Sequence, residues 1–521
     1  MTTVAQGAQQ TINLAAAEAV QVSTAGLAYV DLVAGAPGSP HVSRRVDAGV
    51  PQQFGPYGVA ATLVVRAIHR EATSDVATPA GMTTSQAFQL RAVVSAARNV
   101  GGMSPYLNKR KQSLLECWAG KVKSVSNGSD YTTRVFRTLE CHTERIRVGI
   151  INCVAADLVN VRVSVGTADR MPADLASLHG STTTDGAILS NGTLTNGSAF
   201  TVAAGTDVNK PKITWSAWLD TRTIDRVDVA GGLPAVRISI EIPAAGNANR
   251  PAYDTSDSRA GWEPKGDAAT APYGRCYKAR DGAGLGVTTP SAGSSTTYSD
   301  QTIPFVLEYV PRDGALPVSL TNYGDSISEG SGATISGHGW LYEARARLST
   351  MTAPIGVCCM AAAGTQHGEY ADRVEAVAAD LASDVAILQM FTPNGITAPN
   401  FTAVSGAPTQ RRANQRARAA LQAQGALVVG FSGIPMEAAF KNLDAASAAV
   451  LNAYMAGVRN GSLPMIDGWG AMVGSADADG QFACASGTLA DGVHPNSVGH
   501  RDRIAPELVK IMRALMLAPT T

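Results

Sequence analysis

The sequence predicts a multidomain chain: a small β domain at the N-terminus, a β-sandwich in the middle, and a C-terminal α/β domain with three layers around a parallel sheet. Three observations predict it. Val159-Asn160-Val161-Arg162-Val163-Ser164-Val165 and Val236-Arg237-Ile238-Ser239-Ile240-Glu241-Ile242 alternate apolar and polar residues, the period of strands with one buried and one wet face. From 317 onward short apolar runs at 317–320, 355–360, 384–390, 426–431 and 464–467 are separated by helical stretches at 338–349, 370–382, 408–424 and 441–459. Strands alternating with helices build a parallel sheet with helices on both faces. Ahead of both regions, strand-like runs are short and cut by Gly/Pro loops.

In order, residues 1–80 read as the small β domain. Val20-Gln21-Val22 and Ala28-Tyr29-Val30-Asp31-Leu32 are strand-like, 34–40 is a loop, and Phe54-Gly55-Pro56-Tyr57-Gly58 turns into an apolar strand from Ala61 to Ile68. Residues 81–111 hold a linker and a helix. The polar run Ser74 to Thr84 leads into Ser85 to Asn99, where Phe88, Leu90, Val93, Val94 and Ala97 share a side. Residues 112–316 are the sandwich, with Arg145-Ile146-Arg147-Val148 as a third alternating run and Asn127-Gly128, Asn191-Gly192 and Asn196-Gly197 as hairpin signals. Within it, 245–300 is Gly-rich with four prolines and reads as long loops. Residues 317–521 are the α/β domain, closed by a helix from Asn496 to Leu517.

A chain of 521 residues holds about two to four domains. With 42 acidic and 42 basic residues it carries no net charge, which argues against a nucleic-acid footprint. No run reaches the length of a membrane span, and Met1 to Gln6 lacks the basic and apolar segments of a signal peptide. None of the seven cysteines forms a C-x-x-C, so a zinc site is not expected, and Cys358-Cys359 fits buried thiols made in a reducing cytosol. No metal or cofactor is called for.

The candidate chemistry begins at Asn322-Tyr323-Gly324-Asp325-Ser326-Ile327. A serine between a strand and a helix can present its hydroxyl, and backbone N–H groups, to a developing oxyanion. At the far end of the chain, Asp491-Gly492-Val493-His494-Pro495 supplies a carboxylate and an imidazole. A nucleophilic serine needs such a base, and the base an orienting acid. Ser326, Gly364 and Asn394 each follow an apolar strand, and sites in such sheets form beyond the strands' carboxyl ends. His338, His367 and His500 are poorer bases, having no Asp at useful spacing.

These blocks resemble the SGNH (GDSL-type) hydrolase family over about residues 317–518, with Gly364 of Ala361-Ala362-Ala363-Gly364-Thr365 and Asn394 of Phe391-Thr392-Pro393-Asn394-Gly395 as weaker middle blocks. The resemblance implies Ser326 as nucleophile, His494 as base and Asp491 as orienting acid. It implies an oxyanion hole from the N–H groups of Ser326 and Gly364 and the amide of Asn394. The sequence departs from the pattern at Gly395, where the family usually has Asp.

The middle segment is similar to the jelly-roll domain that precedes the catalytic domain in some virion-associated members, and 1–80 to β domains of bacteriophage tail proteins. These resemblances imply a serine esterase that removes O-acetyl groups from a bacterial capsule or O-antigen. It would work on a phage tail spike or fibre, attached to tail or baseplate proteins through the N-terminal domain and trimeric if a spike. Trp215, Trp218 and Trp262 are candidates for sugar stacking. Two other readings stand beside this one: a non-catalytic host-glycan binder and a general lipolytic esterase.

Overall fold

The structure, a computed structural model, describes six short strands between 9 and 67 by their backbone. With short breaks it also describes 111–166, 194–221, 235–253, 303–350, 353–396 and 401–516. The chain divides into two compact units, Met1–Pro79 and Ala80–Thr521. In the first, Gln9–Leu14, Ala61–Ala67, Ala28–Ala34 and Ser43–Val46 form an antiparallel sheet in that order, and Val20–Val22 pairs with Gln52–Phe54. The helix expected at 85–99, the hairpin at Asn191-Gly192, and Trp262 lie outside the described residues.

The second unit is organised on one mixed sheet. Its strands, in chain order, are β1 (Leu114–Cys117), β2 (Thr143–Asn152), β3 (Lys212–Trp215), β4 (Phe305–Pro311), β5 (Val318–Tyr323), β6 (Ile355–Cys359), β7 (Val385–Gln389), β8 (Leu427–Phe431) and β9 (Met465–Ile466). They are ordered β3-β2-β4-β1-β6-β5-β7-β8-β9, antiparallel from β3 to β1 and parallel from β1 to β9. All five expected C-terminal strands are present, each within about three residues of its sequence reading. β5 to β7 are buried at every position, as expected of strands covered on both faces.

The join between the halves is β1, which comes from the start of the middle region yet lies beside β6. A Cβ at Gly356 would meet the Leu115 carbonyl oxygen at 2.6 Å, so only a glycine on β6 lets the two backbones approach this closely. The boundary read at 316/317 therefore falls inside a continuous sheet.

The helices are α1 (Ser326–Glu329), α2 (Trp340–Leu348), α3 (His367–Leu381), α4 (Gly406–Ala423), α5 (Ala445–Arg459), α6 (Gly468–Met472) and α7 (Ala505–Met516), the last entered through a π-helical turn, Gly499–Ile504. α2 packs with α7, while α3 packs on α4 and α4 on α5. Right-handed crossovers put these two groups on opposite faces. The strand order reverses at β5, with β6 on one side and β7 on the other, and clefts form at such a switch point.

In the middle region a second antiparallel sheet runs Leu194–Asn196, Leu158–Gly166, Ala235–Ile242, Tyr131–Thr138, and its buried residues join the core of the large sheet. The alternation seen in sequence holds only in part. Ser164 faces Ser239 and both are fully buried, so this stretch is covered on both sides. The connections a jelly roll would need, at 167–193, 222–234 and 254–302, lie outside the described residues.

Three local readings are corrected. Asn127-Gly128 is no hairpin: Val122–Ser126 pairs with Asn249–Tyr253 and Tyr131–Thr138 with Ala235–Ile242. The Asn127 amide instead bonds to the carbonyls of Pro243 and Asn247. Around Asn196, the strands Leu194–Asn196 and Phe200–Val202 both run along Leu158–Gly166 and do not reverse on each other. The start of the 245–300 stretch is a strand, in which Pro251 faces Ser124 at the edge of a two-stranded pair, a position that leaves its missing N–H without consequence.

Candidate active site

β5 delivers the chain to the cleft at Tyr323, and Gly324-Asp325 turns it into α1. Position 324 admits only a glycine. A Cβ there would lie 2.3 Å from Gln389 Oε1 and 2.5 Å from Ser328 Oγ. Gln389, fully buried at the end of β7, accepts from the Ser328 hydroxyl at 2.5 Å and from the Asp325 N–H at 3.1 Å, and donates to the Phe391 carbonyl at 2.7 Å. The turn that carries Ser326 is thus bolted to the neighbouring strand. Gln389 had not been singled out, although a polar residue ending a buried apolar strand is a recognisable signal.

Asp325 caps α1, its Oδ1 accepting from the Ile327 N–H at 2.8 Å. Its Oδ2 accepts from the Thr392 hydroxyl. Burial raises its pKa, with the Thr392 and Ile327 hydrogen bonds acting in the opposite sense. Gly330, at φ 94°, ends α1 after a single turn, and the Trp340 indole N–H donates to the Ile327 carbonyl at 3.0 Å. Ser326 is therefore the first residue of a short, fixed helix, where backbone N–H groups have no intrahelical acceptor.

Ser326 Oγ lies 2.9 Å from His494 Nε2, and His494 Nδ1 lies 2.7 Å from Asp491 Oδ2. Asp491 Oδ1 also accepts from the His494 N–H at 2.8 Å and the Val493 N–H at 3.3 Å. Burial pushes the Asp491 carboxyl up, but the hydrogen bonds from the His494 ring and N–H outweigh it and hold the group below the ordinary Asp range. A charged acid beside the imidazole fixes its tautomer and steadies its protonated form. Gly332, at φ +90°, lies under this loop: a Cβ would meet the Pro495 carbonyl oxygen at 2.5 Å and His494 Cβ at 2.6 Å. His500 lies behind, fully buried, with Nε2 3.0 Å from the Ser331 carbonyl. Burial lowers its pKa to about 4, so it sits neutral beneath the site.

The 360–366 loop after β6 brings Gly364 to the same rim. Its anchors are the Ala362 N–H on the Gly324 carbonyl at 3.0 Å, the Ala363 N–H on Glu329 Oε2 at 3.0 Å, and the Thr365 hydroxyl on the carbonyls of Ala362 and Gly324. Gly364 is exposed at φ +80°, with open space where a Cβ would be. Asn394 Nδ2 donates to the Thr365 carbonyl at 3.0 Å, and its N–H reaches Thr392 Oγ1 at 3.3 Å. Thr392 thus links Asn394 to Asp325. All five residues singled out in the sequence converge, three by direct hydrogen bonds and Gly364 and Asn394 through Thr365, Gly324 and Thr392.

Gly395 has a physical reason. A Cβ there would lie 2.9 Å from Cε1 of His367, whose ring fills the space. His367 is buried, and burial lowers its pKa. Trp215 and Trp218 are poor sugar platforms, since Arg147 lies 4.5 and 4.8 Å from their ring centres and Arg145 4.7 Å from Trp218. No group of acidic, cysteine or histidine residues suited to a metal occurs among the described residues. Nor is any described helix long and apolar enough to cross a membrane.

No family model and no curated protein matches the sequence. Among solved structures the chain is similar to TesA, at 18% identity and a TM-score of 0.28, over 38% of this chain and 99% of that one. It is also similar to an acylhydrolase from Bacteroides fragilis, at 17% identity and 0.28, over 38% of this chain and 88% of that one. A GDSL-like lipase from Bacteroides thetaiotaomicron aligns at 15% identity and 0.28, with the same two shares. The chemistry open to the site follows from its own side chains: a hydroxyl, an imidazole and a carboxylate in one hydrogen-bonded line.

Proposed function

We propose that the protein is a serine ester hydrolase. The observation that carries this is the line Ser326 Oγ to His494 Nε2 to Asp491 Oδ2, at 2.9 and 2.7 Å. His494 takes the Ser326 proton as Oγ attacks the ester carbonyl, and Asp491 orients and stabilises the imidazolium. The N–H groups of Ser326 and Gly364 and the Asn394 amide receive the oxyanion, each donor worth about 3 kcal/mol in the barrier. His494 then protonates the departing alcohol, and water, activated by the same imidazole, releases the acid from Ser326. Each step uses this chain's own groups.

In the narrower reading the ester is an O-acetyl group on a bacterial surface polysaccharide, and the protein belongs to a phage virion. What supports it is the resemblance of the N-terminal and middle regions to virion proteins, and a chain with no net charge to select an ionic partner. The test is acetate release from purified capsule or O-antigen, with a small acetyl ester run beside it. Release from both, lost in Ser326→Ala, is expected. Release from the small ester alone would keep the hydrolase and remove the polysaccharide.

A further inference from the structure

We propose that the turn at 206–210, in the antiparallel region, is a positioning element for the oxyanion loop at 360–366, so that the middle region is part of the catalytic scaffold and not only a spacer. This rests on the hydrolase reading above and deepens it.

The turn is rigid in itself. The Asp207 carboxylate accepts from the N–H groups of Asn209 and Lys210 at 2.7 and 2.9 Å, and the Thr206 N–H bonds to the Lys210 carbonyl at 3.0 Å. Its tip engages two residues of α3, the helix that begins where the loop ends. The guanidinium of Arg373, 2% exposed, donates through Nη2 to the Val208 carbonyl at 3.0 Å and to Asn209 Oδ1 at 3.3 Å. Its Nη1 reaches the Met360 carbonyl at 3.4 Å, the first residue of the loop. The Asn209 amide donates to Glu369 Oε1 at 3.2 Å, while Glu369 Oε2 accepts from the N–H of Gln366, the last residue of the loop, at 2.7 Å.

One side chain of the turn, Asn209, thus touches the holders of both ends of the loop. The middle of the loop hangs from α1 through Glu329 and the Ala363 N–H. Between these clamps lies Gly364, at φ +80°, whose N–H must meet the oxyanion and whose neighbours Ala363 and Thr365 are themselves tied down. An oxyanion donor acts in proportion to how well it is fixed before the reaction, and small displacements are costly. A turn that locks both feet of the loop therefore acts on turnover through Gly364.

The test is Asn209→Ala in the full chain, with Arg373→Lys as a second variant and Lys212→Ala, which loses a contact to Asp380 at the other end of α3, as the control. Kinetics on a small acetyl ester and amide hydrogen exchange across 360–366 are read together. For Asn209→Ala the expected result is a kcat lowered about tenfold with KM within about twofold. Exchange should be faster across 360–366 alone, at a Tm within about 3 °C of the parent, and Lys212→Ala should resemble the parent. An unchanged kcat, whatever the exchange, would overturn the proposal. So would a fall in kcat accompanied by faster exchange throughout the unit and a lower Tm, which is the mark of a merely structural contact. If the parent chain hydrolyses no ester and a phosphonate ester fails to label Ser326, the hydrolase reading is what fails. The exchange comparison then decides by itself whether 206–210 holds the loop.

Discussion

The two ends of the Ser326–His494–Asp491 line are built differently. Ser326 is 7% exposed and sits on a helix turn held from beneath by Gln389, Asp325 and Trp340. Asp491 and His494 lie on a surface loop, their side chains 54% and 25% exposed. That loop is closed by the bridge from Leu489 to Pro495, the Ala490 N–H on the His494 carbonyl at 2.8 Å and the buttress of Gly332. Ser326 is thus set by a buried polar network, which is stringent because an unmet partner there is costly. His494 and Asp491 are set mainly by each other and by backbone turns, where solvent can replace a lost contact at lower cost.

The largest effect should come from cutting the line between the two sides. Ser326→Ala should lower hydrolysis of a small acetyl ester at least about 10,000-fold with the fold intact, since one oxygen is lost at the cleft. His494→Ala should do nearly the same, and the double variant should be little worse than either, because such residues act as a unit. Steady-state kinetics with circular dichroism checks this. Next is the oxyanion side. Asn394→Ala should reduce kcat about 100- to 1000-fold with a smaller change in KM.

The third change sharpens the contrast. Gln389→Ala touches no reacting atom, yet it strips the turn that carries Ser326 of two hydrogen bonds and the Phe391 carbonyl of a third. It should reduce stability by about 2–4 kcal/mol in denaturant unfolding and lower kcat as well. Gln389→Glu, the same size but charged in a buried place, should not rescue it. The corresponding cut on the exposed side, Asn496→Ala, removes bonds to the Gly487 and Leu489 carbonyls and from the Val498 and Gly499 N–H groups and should cost about 0.5–2 kcal/mol, as for a lost helix cap.

The last effect concerns pH. His500 has a folded pKa of about 4, pulled down by burial, against an unfolded value of about 6.5. Between these values the unfolded chain binds the proton and the folded chain does not, so stability is lost as pH falls from about 6.5 toward about 4. Urea midpoints at pH 7 and pH 5 should differ by more in the parent than in His500→Gln.

The same division runs through what was legible in the sequence. Ser326, Asp491 and His494 could be read because each lies in a short local pattern. The five C-terminal strands could be read because apolar runs and helical periods are local too. Gln389, Glu329, Gly332 and the 206–210 turn could not, because their roles come from partners distant in the chain, as with Gln389 on Ser328 and Arg373 on Val208. β1 was missed as the join of the sheet for the same reason: Leu114–Cys117 is a four-residue run whose neighbour, β6, begins only at Ile355. Gly324 and Gly395 are of the same kind, since each answers to a side chain distant in the chain, Gln389 and His367, that occupies the place of a Cβ.

The central claim is that Ser326 is a nucleophile activated by His494. A phosphonate ester carrying a good leaving group tests it directly, with the adduct located by mass spectrometry of the digested protein. The expected result is one adduct, on Ser326, forming at a rate that collapses in His494→Ala and is absent in Ser326→Ala. A folded parent protein that takes no adduct, or takes it on another residue at the same rate in both variants, would contradict the account.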